Sequence, residues 1–65
     1  MTRTISSQWH GLRVACVMQQ PDDAPPYIIS NTLRVITPDG ASITDSLTSD
    51  ALEGVEVALY EEADR

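Results

Sequence analysis

The sequence of this 65-residue chain predicts an α+β fold, in which a small antiparallel β-meander of three to four strands packs one face against a single C-terminal amphipathic helix. Two stretches carry this prediction. A Pro-Asp-Gly turn at 38–40 separates two apolar runs with strand-like alternation, and residues 50–64 repeat apolar side chains at helical spacing. The expected order is therefore four strands followed by the helix.

The turn at the centre of the chain is Thr37-Pro-Asp-Gly. Pro38 sets φ near the value required at the first turn position, and Gly40 accepts a positive φ without steric cost. Apolar residues alternate on both sides of this turn. We therefore predict a β-hairpin with one strand that begins at Leu33 and a second strand over residues 43–47.

Residues 50–64 predict an amphipathic helix with a continuous apolar stripe. Asp50 is a suitable N-cap, and Glu53 three positions later completes a capping box. The stripe comprises Ala51, Leu52, Val55, Ala58, Leu59 and Ala63. Gly54 falls on the polar side, and Val57 is the one apolar residue outside the stripe. We expect Leu59 to be buried against the sheet.

A strand is the alternative for the second part of this segment, because Val55, Val57 and Leu59 also alternate. The Ala, Leu and Glu residues over 51–62 are good helix formers, and a capping box has no role in a strand. These two arguments favour the helix.

The first half of the chain predicts further strands. Thr2–Gln8 reads as a strand, His10-Gly11 as a two-residue turn, and Leu12–Met18 as a strand with alternating inner and outer residues. Gln19–Pro26 is a proline-rich loop, where regular structure cannot continue. Tyr27–Thr37 is the longest apolar stretch, and it predicts either one bent strand or two short strands.

The length of the chain predicts a single small domain over residues 1–65. A chain of this size without Phe has little apolar surface to bury, which is consistent with a homodimer. The only cysteine, Cys16, excludes an internal disulfide and is expected to be a small buried apolar residue. No apolar run reaches the length of a membrane span, and we expect a cytoplasmic protein.

The charge of the chain is acidic and unevenly distributed. The net charge is −6, and residues 39–65 hold eight acids with only Arg65 as a base. Direct binding to nucleic acid or to an anionic membrane surface is not expected, because both require Lys and Arg. An acidic helical face is usually only solvated, but it also suits docking on a basic protein surface. Its members are Asp50, Glu53, Glu61 and Asp64.

Catalytic and metal-binding signatures are weak. A Ser-His-Asp triad can be drawn from the composition, but His10 is the only histidine and falls in a predicted turn. One Cys and one His cannot complete a zinc site, and Asp22 and Asp23 in the proline-rich loop lack further ligands at fixed spacing. We therefore expect no enzyme, no cofactor and no metal site.

The second half of the chain resembles small uncharacterised proteins of bacteriophages and prophages. The similarity is carried by the hairpin sequence over 33–47 and by the acidic segment Asp50-Ala-Leu-Glu-Gly-Val-Glu-Val-Ala-Leu-Tyr-Glu-Glu-Ala. It implies a phage or prophage accessory protein and transfers no functional residue. The sequence thus predicts a non-catalytic protein-interaction module. The alternative is an acidic mimic of nucleic acid that inhibits a host DNA- or RNA-binding or defence protein.

Overall fold

The computed structural model describes residues 1–65 and shows a four-stranded antiparallel sheet with one helix packed on it. This arrangement confirms the predicted α+β class. The elements in chain order are β1 (Thr2–Trp9), β2 (Leu12–Gln19), β3 (Tyr27–Ile28), β4 (Arg34–Ile36) and α1 (Ser49–Ala63).

The hairpin of β1 and β2 is the regular part of the sheet. It pairs residue for residue from Thr2 opposite Gln19 to Trp9 opposite Leu12. His10 and Gly11 connect the strands with φ values of 51° and 78°. Positive φ at both positions matches the right-handed twist of a hairpin, so the predicted two-residue turn is confirmed.

On the side of β2 away from β1, the pairing is divided between two short strands. β3 places Ile28 opposite Met18, and β4 places Val35 opposite Val14. Had the β3 register continued, Thr32 would have faced Val14, so three extra residues lie between the two strands. A 3-10 turn over Ser30–Thr32 accommodates them. Of the two alternatives for this stretch, the structure therefore contains two short strands.

The Thr32 hydroxyl replaces a backbone partner in the β-ladder at this interruption. It accepts a hydrogen bond from the Val17 backbone N–H at 2.9 Å and donates one to the Ile29 carbonyl at 2.6 Å. A regular ladder would join Val17 and Ile29 by two backbone hydrogen bonds. One of them is kept, because the Ile29 N–H donates to the Val17 carbonyl at 3.0 Å, and the Thr32 hydroxyl takes the place of the other. The two backbone groups thus remain paired, as buried polar groups must.

The core lies between the sheet and α1, which packs mainly on β1 and less on β2. Val55 and Leu59 are completely buried, and the rest of the predicted apolar stripe is at least partly buried, so the helix and its orientation are confirmed. Alternation along β2 directs every second residue into the core. The buried residues are Ile5, Val14, Cys16, Met18, Leu33, Val35, Val55 and Leu59.

The prediction of a second strand in the central hairpin, over residues 43–47, is wrong. The turn itself forms, with φ of 92° at Gly40, but only one bridge joins Ile36 to Ser42 before a 3-10 turn over Thr44–Ser46. The Thr44 hydroxyl accepts a hydrogen bond from the Val35 backbone N–H at 2.9 Å. Short polar side chains compete in this way with ladder hydrogen bonds, and residues 43–47 are rich in them.

The predicted helix cap also requires correction. α1 begins at Ser49, and Thr48 is the N-cap, because its hydroxyl accepts a hydrogen bond from the Ala51 backbone N–H at 3.1 Å. Asp50 therefore lies within the first turn, and Glu53 has no capping-box position. Asp50 still complements the helix dipole there.

Candidate interaction surfaces

The outward side of α1 carries the four acids that the sequence predicted as partner-binding residues. All four are exposed, and at 100° per residue they fall within one sector of the helix, opposite the buried Leu59. They extend over roughly 21 Å of helix axis at 1.5 Å per residue. The four residues are Asp50, Glu53, Glu61 and Asp64.

Two contacts fix the rotation of α1 above the sheet. The Tyr60 hydroxyl accepts a hydrogen bond from the Ile28 backbone N–H at 3.2 Å, so this flank of the helix faces β3. On a different flank, Gly54 lies against the Trp9 indole at the end of β1. A Cβ at Gly54 would come to 3.0 Å from Trp9 Nε1, so Trp9 covers this position, which the helical wheel places on the polar side.

An open cleft separates the C-terminal half of α1 from the proline-rich loop. Its volume is roughly 610 Å³, and its lining includes Pro25, Pro26, Val57, Tyr60, Glu61 and Asp64. Val57 and Tyr60 are 50% and 38% exposed, so both contribute apolar surface to the cleft. Two of the predicted acids thus lie beside exposed apolar groups. The sequence signal for this cleft was Val57, the apolar residue outside the stripe.

The sheet face that the helix leaves open has the opposite charge. Strand alternation places Arg13 on this face with Gln8 and Ile36 as its cross-strand neighbours, and Arg34 lies opposite Ala15. No acidic residue belongs to the strand positions of this face. The outward side of α1 is therefore acidic, whereas the strand residues of the open sheet face are weakly basic.

The residues with catalytic or metal-binding chemistry lie apart from the cleft. His10 is exposed in the first turn, where its ring packs edge-on against Trp9 with centroids 4.5 Å apart. Cys16 is buried in the core, and desolvation raises the pKa of its thiol, which disfavours the reactive thiolate. No group of three His, Cys, Asp or Glu side chains is placed to hold a metal ion.

The α-helix is too short and too polar to cross a membrane. Comparisons of the chain with protein-family models, with curated proteins and with solved structures find no match. The interaction surfaces described above are therefore the basis for a functional assignment.

Proposed function

We propose that this protein is a non-catalytic interaction module that binds a partner protein through the cleft and the outward side of α1. The observation that carries the proposal is the position of Val57 and Tyr60, which are exposed apolar side chains beside the acids Glu61 and Asp64. Protein interfaces commonly combine an apolar centre, often with Tyr, and a polar rim.

The acids of this surface favour a basic partner. Asp50 and Glu53 extend the negative charge along the helix beyond Glu61 and Asp64. Charges of this kind steer association and select partners of opposite charge, and salt screens them. We therefore infer a partner with Lys and Arg around an apolar contact.

The surface is also rigidly held, which reduces the entropic cost of binding. Leu59 and Val55, on the inner side of the same helix, are completely buried. The Tyr60 hydroxyl is fixed by its hydrogen bond from Ile28. The partner would therefore meet acids whose relative positions along the helix are already set.

An acidic mimic of nucleic acid is the second candidate, and the length of the row of acids supports it. Roughly 21 Å of helix axis compares with about six phosphates along one DNA strand at 3.4 Å each. If the protein is such a mimic, its partner is a DNA- or RNA-binding or defence protein of a bacterial host. The resemblance to phage and prophage proteins supports a role as an accessory factor in the bacterial cytoplasm.

The test compares two variants with the same change in charge. The first neutralises the outward side of α1, and the second neutralises four exposed acids elsewhere in the chain. The first variant combines Asp50→Asn, Glu53→Gln, Glu61→Gln and Asp64→Asn; the control combines Asp22→Asn, Asp23→Asn, Asp39→Asn and Asp45→Asn. The partner is captured from a bacterial lysate with the wild-type chain, identified, and titrated with each variant at low and high salt.

We expect the helix variant to lose affinity and salt dependence, and the control variant to keep most of both. Val57→Ser tests the apolar part of the surface, because Val57 is half exposed and its loss should weaken binding without unfolding the domain. Equal effects of the two charge variants would contradict a defined acidic surface. Competition by duplex DNA for the captured partner would favour the mimic, and its absence would favour an ordinary protein contact.

A further inference from the structure

The outer edge of β1 presents unpaired backbone groups. Met1 and Gln20 exchange backbone hydrogen bonds, with Gln20 N–H donating to the Met1 carbonyl at 2.7 Å and the Met1 amino group donating to the Gln20 carbonyl. Because antiparallel pairing alternates, the odd residues of β1 direct their backbone groups toward β2. The even residues direct theirs outward, and their side chains are exposed. They are Thr2, Thr4, Ser6 and Gln8.

The opposite edge of the sheet is covered. The Ile28 N–H donates to the Tyr60 hydroxyl, and the Val35 N–H donates to the Thr44 hydroxyl. The Val35 carbonyl accepts a hydrogen bond from the Ile43 N–H at 2.9 Å. Side chains and loop backbone therefore occupy the outer edge of β3 and β4, whereas β1 has no such cover.

Most of the devices that usually protect an edge strand are also missing from β1. The strand is eight residues long, pairs with β2 without a bulge, and contains neither Pro nor Lys. Its one charged residue is Arg3. A strand of this kind is ready to accept another strand along its length.

We propose that the occupant of this edge is a second copy of the chain, joined by antiparallel pairing of β1 with β1. In the register centred on Ile5, Thr2 pairs with Gln8 of the second copy and Thr4 with Ser6 of the second copy. All four outward residues of each strand then form hydrogen bonds, about eight in total. Arg3 lies opposite Ser7 of the second copy, so like charges do not meet.

The flank of α1 nearest this edge also suits a second copy. Tyr60 faces β3, so the helix flank over β1 carries the small residues Ala51 and Ala58, while the Trp9 indole covers Gly54 on the same flank. Small side chains let two helices approach on the same side of the extended sheet. The acidic sides of both helices then point outward together, which doubles the surface proposed above for a basic partner.

The charge of the chain gives this dimer a distinctive salt dependence. Each copy carries a net charge of −6, so two copies repel at low ionic strength. Added salt should therefore strengthen dimerisation, whereas it should weaken binding of a basic partner. This opposite salt dependence distinguishes dimerisation from binding of a basic partner. Each of the two proposals can be wrong without affecting the other.

The test is sedimentation equilibrium of the wild-type chain, Thr4→Pro and Thr4→Val at low and high salt. Proline removes an outward N–H that the monomer does not use and is tolerated on edge strands. Valine keeps the N–H and fits the strand. We expect the wild type and Thr4→Val to reach twice the mass of one chain at high salt, and Thr4→Pro to remain a monomer with an unchanged circular dichroism spectrum.

A second measurement does not depend on the proline variant. Hydrogen exchange of the wild-type amides of Thr4 and Ser6 should slow as protein concentration rises. A wild-type chain that stays monomeric at high concentration and high salt would overturn the proposal. A dimer without protection of these amides would place the interface elsewhere, and protection that requires a captured foreign protein would assign the edge to that protein.

Discussion

The β1–β2 hairpin and the segment over residues 27–47 contribute to one sheet by different means. The hairpin uses backbone hydrogen bonds alone, in eight uninterrupted residue pairs. The second segment forms only two short strands, and the hydroxyls of Thr32 and Thr44 occupy positions where a regular sheet has backbone partners. The comparison teaches that a small sheet can end in side chains on one edge and remain open for pairing on the other.

The largest expected effect tests whether the two segments share one core. Leu59 is completely buried, and its core cluster includes Ile5 of the hairpin and Val35 of the second segment. Leu59→Ala should lower the free energy of unfolding by roughly 2–5 kcal/mol, through lost burial and the cavity left behind. Val57→Ala, on the exposed side of the same helix, should change it by less than about 0.5 kcal/mol.

Urea unfolding followed by Trp9 fluorescence and by the Val35 amide signal would check this prediction. Trp9 reports on the hairpin and Val35 on the second segment. We expect both probes to shift together to lower urea in Leu59→Ala. Separate transitions would mean that the two segments unfold independently and do not share a core.

The next largest effect is expected from removing a side-chain hydrogen bond of the second segment. Thr32→Val keeps the shape of the side chain but leaves the Val17 N–H without its partner, which should cost about 1–3 kcal/mol. The same substitution at Thr4, an exposed position of the regular strand β1, should be close to neutral. Thermal or urea denaturation of the two valine variants measures the difference. Equal stabilities would show that the Thr32 bridge contributes nothing.

The N-cap of α1 should have a smaller effect. The Thr48 hydroxyl is the acceptor for the Ala51 N–H, so Thr48→Ala should lower stability by about 1 kcal/mol. Thr48→Ser retains the hydroxyl and should restore most of the loss. Helix content by circular dichroism and urea midpoints would measure both variants. An alanine variant as stable as the wild type would contradict the role of Thr48 as the N-cap.

The smallest expected effect is the pH dependence of stability that comes from Cys16, a residue of the regular hairpin. Burial raises the pKa of the Cys16 thiol above its ordinary value of 9.0. The unfolded chain loses this proton near its ordinary value, while the folded chain keeps it. The contribution to stability is therefore complete below pH 9.0 and is lost as the pH rises toward the higher folded pKa.

Cys16→Val should remove this part of the pH dependence, since valine is apolar and does not titrate. Urea midpoints of the wild type and the variant, measured from neutral pH to about one unit above the ordinary Cys pKa, would show it. The difference between the two chains should grow with pH. A constant difference would mean that the thiol ionises equally in the folded and unfolded states.

Local chemistry was sufficient to predict several elements from the sequence. The His10-Gly11 turn, the alternation of β2 and the apolar stripe of α1 each depend on neighbours within a few positions. Such patterns are visible in one sequence because the strand period of two and the helix period of 3.6 are backbone properties. The α+β class and the exposure of the four predicted acids follow from them.

The sequence by itself therefore determined the first hairpin, the buried side of the helix and the acidic character of its outer side. Only the tertiary structure decided that residues 43–47 end the sheet with a hydroxyl, that Thr48 caps the helix, and that Gly54 makes room for Trp9. Short polar side chains have several local partners of similar energy, and the surrounding fold selects among them. The cleft and the free edge of β1 arise in the same way, because each depends on which segments lie beside each other in space.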